Sequence, residues 1–306
     1  MNLQQLRYIV EIAGRDRNIS AVASALHTSQ PGISKQVKLL EQELGLEIFM
    51  RSRNRLSGVS AEGQRVIDCA GRALEEIANI HMVSQEHKRP SSGSIRIATS
   101  HTQARYVLAD VMKRFAVRHP KVRISLRYGD PGQIPDLVHS GEVDIGVTTD
   151  TARGIKDLMT LPFRRFQRVV IVPCRHELLK SKRITLKALA RYPLITYEPQ
   201  FMGRRDLVKA FEKAGLTPKL LVSAIDADVI KMCVEQGMGI AVLSDVAFDA
   251  HRDTGLRAIP AGHLFEPSTT SLLLHRTRYL HEHAYDFIET CVPTLKKADV
   301  HRAAAG

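Results

Sequence analysis

The sequence predicts a multidomain α/β protein: a small helical unit with one basic hairpin, a long helix, and a larger part alternating strands with helices. Three observations predict it. In the first ninety of the 306 residues, apolar positions recur at helical spacing, with one hairpin at Ile48 to Leu56. A polar run, Lys88-Arg89-Pro90-Ser91-Ser92-Gly93, interrupts the pattern. Beyond it, short β-branched runs alternate with amphipathic stretches. That alternation implies βαβ units and a parallel-rich sheet with helices on both faces.

Leu3, Leu6, Ile9, Val10 and Ala13 share a helix face, and Gly14 to Arg17 breaks that helix. Ser20 is the expected N-cap of a short helix over Ala21–Leu26. Ser29 caps the next helix, with Pro31 in its first turn, where a missing N–H costs nothing. Ile33, Val37, Leu40 and Leu44 form its buried stripe, and Gly45 stops it. This is the arrangement of a helix-turn-helix over about 19–38, whose second helix lies in a major groove. Thr28, Ser29, Gln30, Pro31, Ser34, Lys35 and Lys38 are the candidate DNA contacts. Gln and Lys can pair with base edges, while Ser, Thr and the helix N-terminus suit phosphate oxygens. A helical hairpin with a solvated polar face would show the same bare pattern.

The following hairpin shifts the odds. It reads as a wing, and Arg51, Arg53 and Arg55 can neutralise phosphates or enter a minor groove. Ser60 then opens a long helix to about His87. Its stripe of Val66, Cys69, Ala73, Ile77 and Ile80 suits dimerisation, or packing on its own wing.

In the C-terminal part, strands are expected, for example, at Ser94–Ala98, Val122–Arg127, Asp144–Thr148, Val169–Val172, Leu194–Tyr197 and Gly239–Leu243. Helices are expected at Gln103–Arg118, Gly203–Ala214 and Asp228–Gln236. Thr99 to Gln103 follows the C-terminal end of a strand and opens a helix, which is where open α/β sheets bind ligands. Hydroxyls and N–H groups there suit a small tetrahedral oxyanion, and Thr148-Thr149 adds hydroxyls at another strand end. The same Ser and Thr would also serve as plain N-caps. The tail after Val300 is expected to fray.

Composition excludes several classes. No apolar run is long enough for a membrane span, and Met1 to Val10 carries Arg7, unlike a secretory signal, so a cytoplasmic protein is expected. Trp is absent and aromatics are only 5%, against an aromatic stacking platform. Cys69, Cys174, Cys233 and Cys291 lie far apart, so reduced and mostly buried thiols are expected, not a zinc finger or disulfide framework. The net charge of +12 suggests a polyanionic partner, but residues 1–90 hold +2 of it and residues 91–306 hold +10.

No nucleophile elbow, Walker A loop or H-E-x-x-H is present, so neither an enzyme, a cofactor nor a metal is expected. His275, His281 and His283 are expected at the surface, and Gly237-Met238-Gly239 marks a helix end. A solute-binding module without gene control is the other non-enzyme class, which the helix-turn-helix disfavours.

The run from Ala21 through Leu26-His27-Thr28-Ser29-Gln30-Pro31-Gly32-Ile33-Ser34-Lys35-Gln36-Val37, with Leu40-Glu41, Leu44-Gly45, Ile48-Phe49 and Arg51, resembles the LysR-type transcriptional regulators. Leu3 to Val10, Thr28 to Val37 and Ile97 to Tyr106 resemble its CysB subgroup, with its relative Cbl. Gly215-Leu216-Thr217-Pro218 and Asp226-Ala227-Asp228-Val229-Ile230-Lys231 strengthen the match.

The resemblance covers the whole chain. It implies a winged helix-turn-helix over 1–59, a linker and dimerisation helix over 60–90, and a periplasmic-binding-protein-like effector domain over 91–306. In that domain lobe I is 91–165 with 268–306, and lobe II is 166–267. It further implies a homotetramer built as a dimer of dimers, double-stranded operator DNA and RNA polymerase as partners, and activation of genes for sulfate assimilation, cysteine synthesis or sulfonate use. An interlobe cleft would hold sulfate or an acyl-serine through Ser100, Thr102, Gln103, Thr149, Met202 and Gly203. Two positions depart from the subgroup: Ser100 replaces a Thr but keeps the hydroxyl, whereas Met202 replaces a Thr and cannot donate a hydrogen bond. The departure at Met202 leaves room for adenosine 5′-phosphosulfate or a sulfonate-related signal. A repressor, or a regulator of another pathway with a different effector, is the alternative.

Overall fold

The structure is a computed structural model that describes residues 1–52, 55–88, 93–149, 155 and 157–305. It forms two compact units, Met1–Lys88 and Arg89–Gly306.

In the first unit, α1 (Leu3–Gly14) starts at Asn2, whose side chain forms a capping box with Gln5. The next helix, α2 (Ile19–Ala25), is capped by Asn18 and not by Ser20. Asn18 accepts from the Ala21 N–H at 3.0 Å, and the helix starts early enough to half-bury Ile19. Ser29 caps α3 (Gln30–Leu44), with Pro31 in the first turn and Gly45 ending it at φ +67°. Ile33, Val37 and Leu40 are buried, but Leu44 is 36% exposed, because Glu41 takes the inward place near that end.

Strands β1 (Phe49–Ser52) and β2 (Arg55–Val59) pair antiparallel. Helix α4 (Ala61–Lys88) turns Ile67 and Ala70 into the unit's core. At Gly63 it passes so close to the hairpin that a Cβ would lie 2.2 Å from the Ile48 carbonyl. The expected stripe on α4 is a second face: Cys69 and Ile80 are exposed, and Val66, Ala73 and Ile77 half-buried.

Among the described residues, the second unit holds not one sheet but two mixed sheets of five strands each. In one, β3 (Gly93–Thr99), β4 (Val122–Tyr128) and β5 (Ile145–Thr148) run parallel, and β12 (Ser268–His275) pairs antiparallel with β5 and β6 (Leu158–Phe166). In the other, β8 (Pro193–Tyr197), β9 (Lys219–Ala224) and β10 (Ile240–Ser244) run parallel. There β7 (Arg168–Pro173) pairs antiparallel with β10 and β11 (Leu256–Pro260). The chain crosses between the sheets at 166–168 and returns at 260–268.

A helical run follows β3: α5 (His101–Gln103), a π-helical turn (Ala104–Leu108) and α6 (Ala109–Arg118). The remaining helices are α7 (Gln133–His139), α8 (Leu186–Leu189), α9 (Met202–Lys213), α10 (Ala227–Glu235), α11 (Glu282–Cys291) and α12 (Lys297–Ala305).

Three expectations are corrected. The tail is helical, because Val300 is buried in the first sheet's core. His275 and His283 are buried, not solvated, and the ring of His281, at the N-cap of α11, stacks on that of His283. Cys69 and Cys174 are exposed, so only Cys233 and Cys291 behave as buried thiols. Gly237, with φ +76°, follows α10 at its end, as the G-x-G reading had it.

Candidate functional site

Thr28, Ser29, Gln30, Pro31, Lys35 and Lys38 are exposed along the start and outer face of α3, with Ser34 half-buried among them. Ser20 donates to Gln30 Oε1 at 3.2 Å, which ties the two short helices together at this face. Arg53 lies outside the described residues. Arg55 contributes backbone to β2, but its side chain is outside them too.

Arg51 is exposed and has a structural partner. Glu41 of α3, only 6% exposed, accepts the Ile48 and Phe49 N–H groups on one oxygen, at 2.9 and 3.1 Å. Its other oxygen accepts Arg51 Nη2 at 2.7 Å. This buried carboxylate fastens the second helix of the motif to the hairpin. Sequence reasoning missed the knot; an acid in an otherwise apolar stripe was its signal.

The second cluster lies at the C-terminal ends of β3, β5 and β8. Ser100 caps α5 by accepting the Gln103 N–H at 3.4 Å. Gln103 is buried and accepts from Thr270 Oγ1 of β12 at 3.0 Å. Thr149, half-buried, follows β5. The Thr102 hydroxyl is buried, makes no hydrogen bond of ordinary geometry, and lies next to the Tyr197 hydroxyl.

Residues of the second sheet close the cluster. Burial pushes the Tyr197 hydroxyl up to about 12, moderated by the neighbouring Thr102 hydroxyl and Arg168 guanidinium. Gly203, in the first turn of α9, packs on the Tyr197 ring so closely that a Cβ would sit 2.8 Å from it. Met202, half-buried, is the first residue of α9, which has no side-chain cap. Its unmet N–H groups and positive end therefore remain available to an anion. Buried Arg168 stands beside them, its Nη2 bonded to Asp206 at 2.9 Å and Ser268 at 3.1 Å. Neither Tyr197 nor Arg168 was singled out from sequence, because each comes from a β-strand with no motif of its own.

Residues 3–64 match the family of bacterial regulatory helix-turn-helix proteins, lysR family, and residues 88–296 match the LysR substrate binding domain. The chain belongs to the LysR family of transcriptional regulators. This LysR-family regulator is 42% identical over 98% of its length to the HTH-type transcriptional regulator SsuR of Burkholderia cenocepacia, covering 97% of that protein. It is 43% identical over 99% of its length to the HTH-type transcriptional regulator CysB of Haemophilus influenzae, covering 94% of that one. The crystal structure of the cofactor-binding domain of the Cbl transcriptional regulator superposes on 70% of the chain and 93% of that domain, with TM-score 0.66 and 35% identity. The exposed face of α3 and the hairpin therefore belong to the regulator's DNA-binding helix-turn-helix domain, and the two-sheet unit to its substrate-binding domain. Among the described residues, no helix is long and apolar enough to cross a membrane.

Proposed function

We propose that this regulator activates genes of sulfur assimilation, for sulfate, cysteine or organosulfur use, under the control of a small sulfur-related anion or acyl-serine bound between its two sheets. The observation that carries the reading is the buried Thr102 hydroxyl, set beside Tyr197 without a well-formed hydrogen bond, next to the open first turn of α9. A buried hydroxyl without a well-formed hydrogen bond costs free energy that a ligand oxygen would return. Ser100, Gln103, Thr149 and Gly203 complete the pocket, and Arg168 with the helix end favours negative charge.

In this reading Thr28 to Lys38 and Arg51, Arg53 and Arg55 contact operator DNA in the cytoplasm. The outward stripe of α4 joins two chains, and two such dimers make a tetramer that engages RNA polymerase. The functional division follows: 1–59 binds DNA, 60–90 links, and 91–306 senses. A ligand that prefers one interlobe angle shifts the tetramer between two shapes and alters DNA bending.

DNase footprinting on sulfur-gene promoters tests it. Sulfate, an acetylserine or adenosine 5′-phosphosulfate should change the footprint, and an unchanged footprint with all of them refutes it. A second reading, a regulator of another pathway with a different effector, rests on Met202, which puts a thioether where a hydroxyl would bond a polar ligand.

A further inference from the structure

Two stretches that carry the CysB-like resemblance, the Tyr106 end of Ile97 to Tyr106 and Asp226 to Lys231, meet in the structure. Tyr106 stands in the π-helical turn that follows the Ser100–Gln103 segment of the first lobe. Such turns are rare and add a residue to the helical repeat, which re-aims the side chains they carry. Here the Tyr106 ring packs against the core of the second sheet, beneath α10. Its hydroxyl bonds the Asp228 carboxylate and accepts from Lys231 Nζ at 2.7 Å. Lys231 is only 6% exposed, and its ammonium lies 4.9 Å from the Tyr106 ring centroid. It also donates to both oxygens of Asp253, at 2.8 and 2.9 Å. Arg105 adds an ion pair to Asp228 at 3.0 Å, exposed and so weak.

A buried ammonium needs all its acceptors, and one of them belongs to the other lobe. Swinging the lobes apart takes the Tyr106 oxygen from Lys231 and leaves the ammonium to the acceptors of its own lobe, Asp253 and, at 3.5 Å, Asp228. Burial and Asp228 also hold the Tyr106 hydroxyl above its usual range, so it stays protonated and donates to Asp228 while accepting from Lys231. The contact is therefore directional.

We propose that the Tyr106 hydroxyl is an interlobe latch, which sets the angle of the effector cleft by joining the turn behind Ser100–Gln103 to Asp228 and Lys231 of the opposite lobe. The latch rests on the cleft reading above, and Tyr106 acts in it as a positioning residue.

The test uses the full chain and Tyr106→Phe, which keeps the ring over Lys231 and removes only the oxygen. Hydrogen–deuterium exchange should rise about ten-fold or more in peptides spanning the crossings at 166–168 and 260–268, as expected for losing hydrogen bonds to charged groups. Asp228→Asn should give a smaller rise, and the double variant little more than Tyr106→Phe alone, because both act on one bond. Calorimetric affinity for sulfate or O-acetylserine, whichever binds the wild type, should fall by a similar factor. Unchanged exchange at both crossings, or a rise confined to 104–108, overturns the latch whatever the ligands do. If neither probe binds the wild type, the choice of effector fails, and the exchange at the crossings still decides the latch.

Discussion

Glu41→Ala isolates the bond between the second helix of the DNA-binding motif and its wing. The substitution leaves the Ile48 and Phe49 N–H groups, both on fully buried residues, without an acceptor. Each orphaned buried donor costs about 1–3 kcal/mol, so the pair costs about 2–6 kcal/mol. The Arg51 pair has its guanidinium side 41% exposed and adds at most about 1 kcal/mol. A loss near 4 kcal/mol is expected, a large part of the stability of a small unit. Glu41→Gln keeps an amide oxygen for the two N–H groups and loses only the charge, so about 1 kcal/mol is expected. Because the chain has two compact units, one melting temperature would mix them. Native-state hydrogen exchange in α3 and the β1–β2 hairpin reports the first unit alone. Operator affinity should follow the same order, wild type above Gln above Ala. The reasoning fails if the two variants lie within about 1 kcal/mol of each other.

Thr102→Val should leave the protein as stable as before or slightly more so, by thermal unfolding, while ligand affinity by calorimetry falls about ten-fold. A substitution that lowers stability there means the hydroxyl was already satisfied. Gly203→Ala should cost about 1–3 kcal/mol and abolish ligand binding, since its methyl meets the Tyr197 ring at 2.8 Å. Asn18→Ala should cost about 1 kcal/mol in the exchange of α2, and Ser20→Ala much less. Equal losses would return the cap to Ser20.

The helical unit was legible because its signals are local: spacing, caps, Pro31 and Gly45 all act within one turn of themselves. The cap of α2 was misplaced because Asn18 and Ser20 are both good cap residues two positions apart, and only the burial of Ile19 separates them. The central strands β3, β5, β8 and β10 read well, since they are short apolar runs that are largely buried. Strands β6, β9, β11 and β12 did not stand out. Pro162, Arg164 and Arg165 break the pattern of β6, and the exposed alternate residues of β9 dilute it. Helix α7 was hidden by Pro135 and α12 by its alanine-rich, weakly apolar sequence.

The division into two lobes came from resemblance, because a strand run says nothing about which sheet it joins. The same limit applies to the cleft. Ser100 to Gln103 announced themselves as a helix start after a strand. Tyr197 and Arg168 reach them only through the fold, and Tyr106 meets Lys231 across 125 residues of chain.

The most direct measurement is calorimetric titration of the full chain and its Met202→Thr variant with sulfate, O-acetylserine, N-acetylserine and adenosine 5′-phosphosulfate. One of these should bind the wild type at one site per chain, and the added hydroxyl at 202 should change that affinity several-fold, as one hydrogen bond would. If none of the four binds either chain, a sulfur-related effector in this cleft is contradicted.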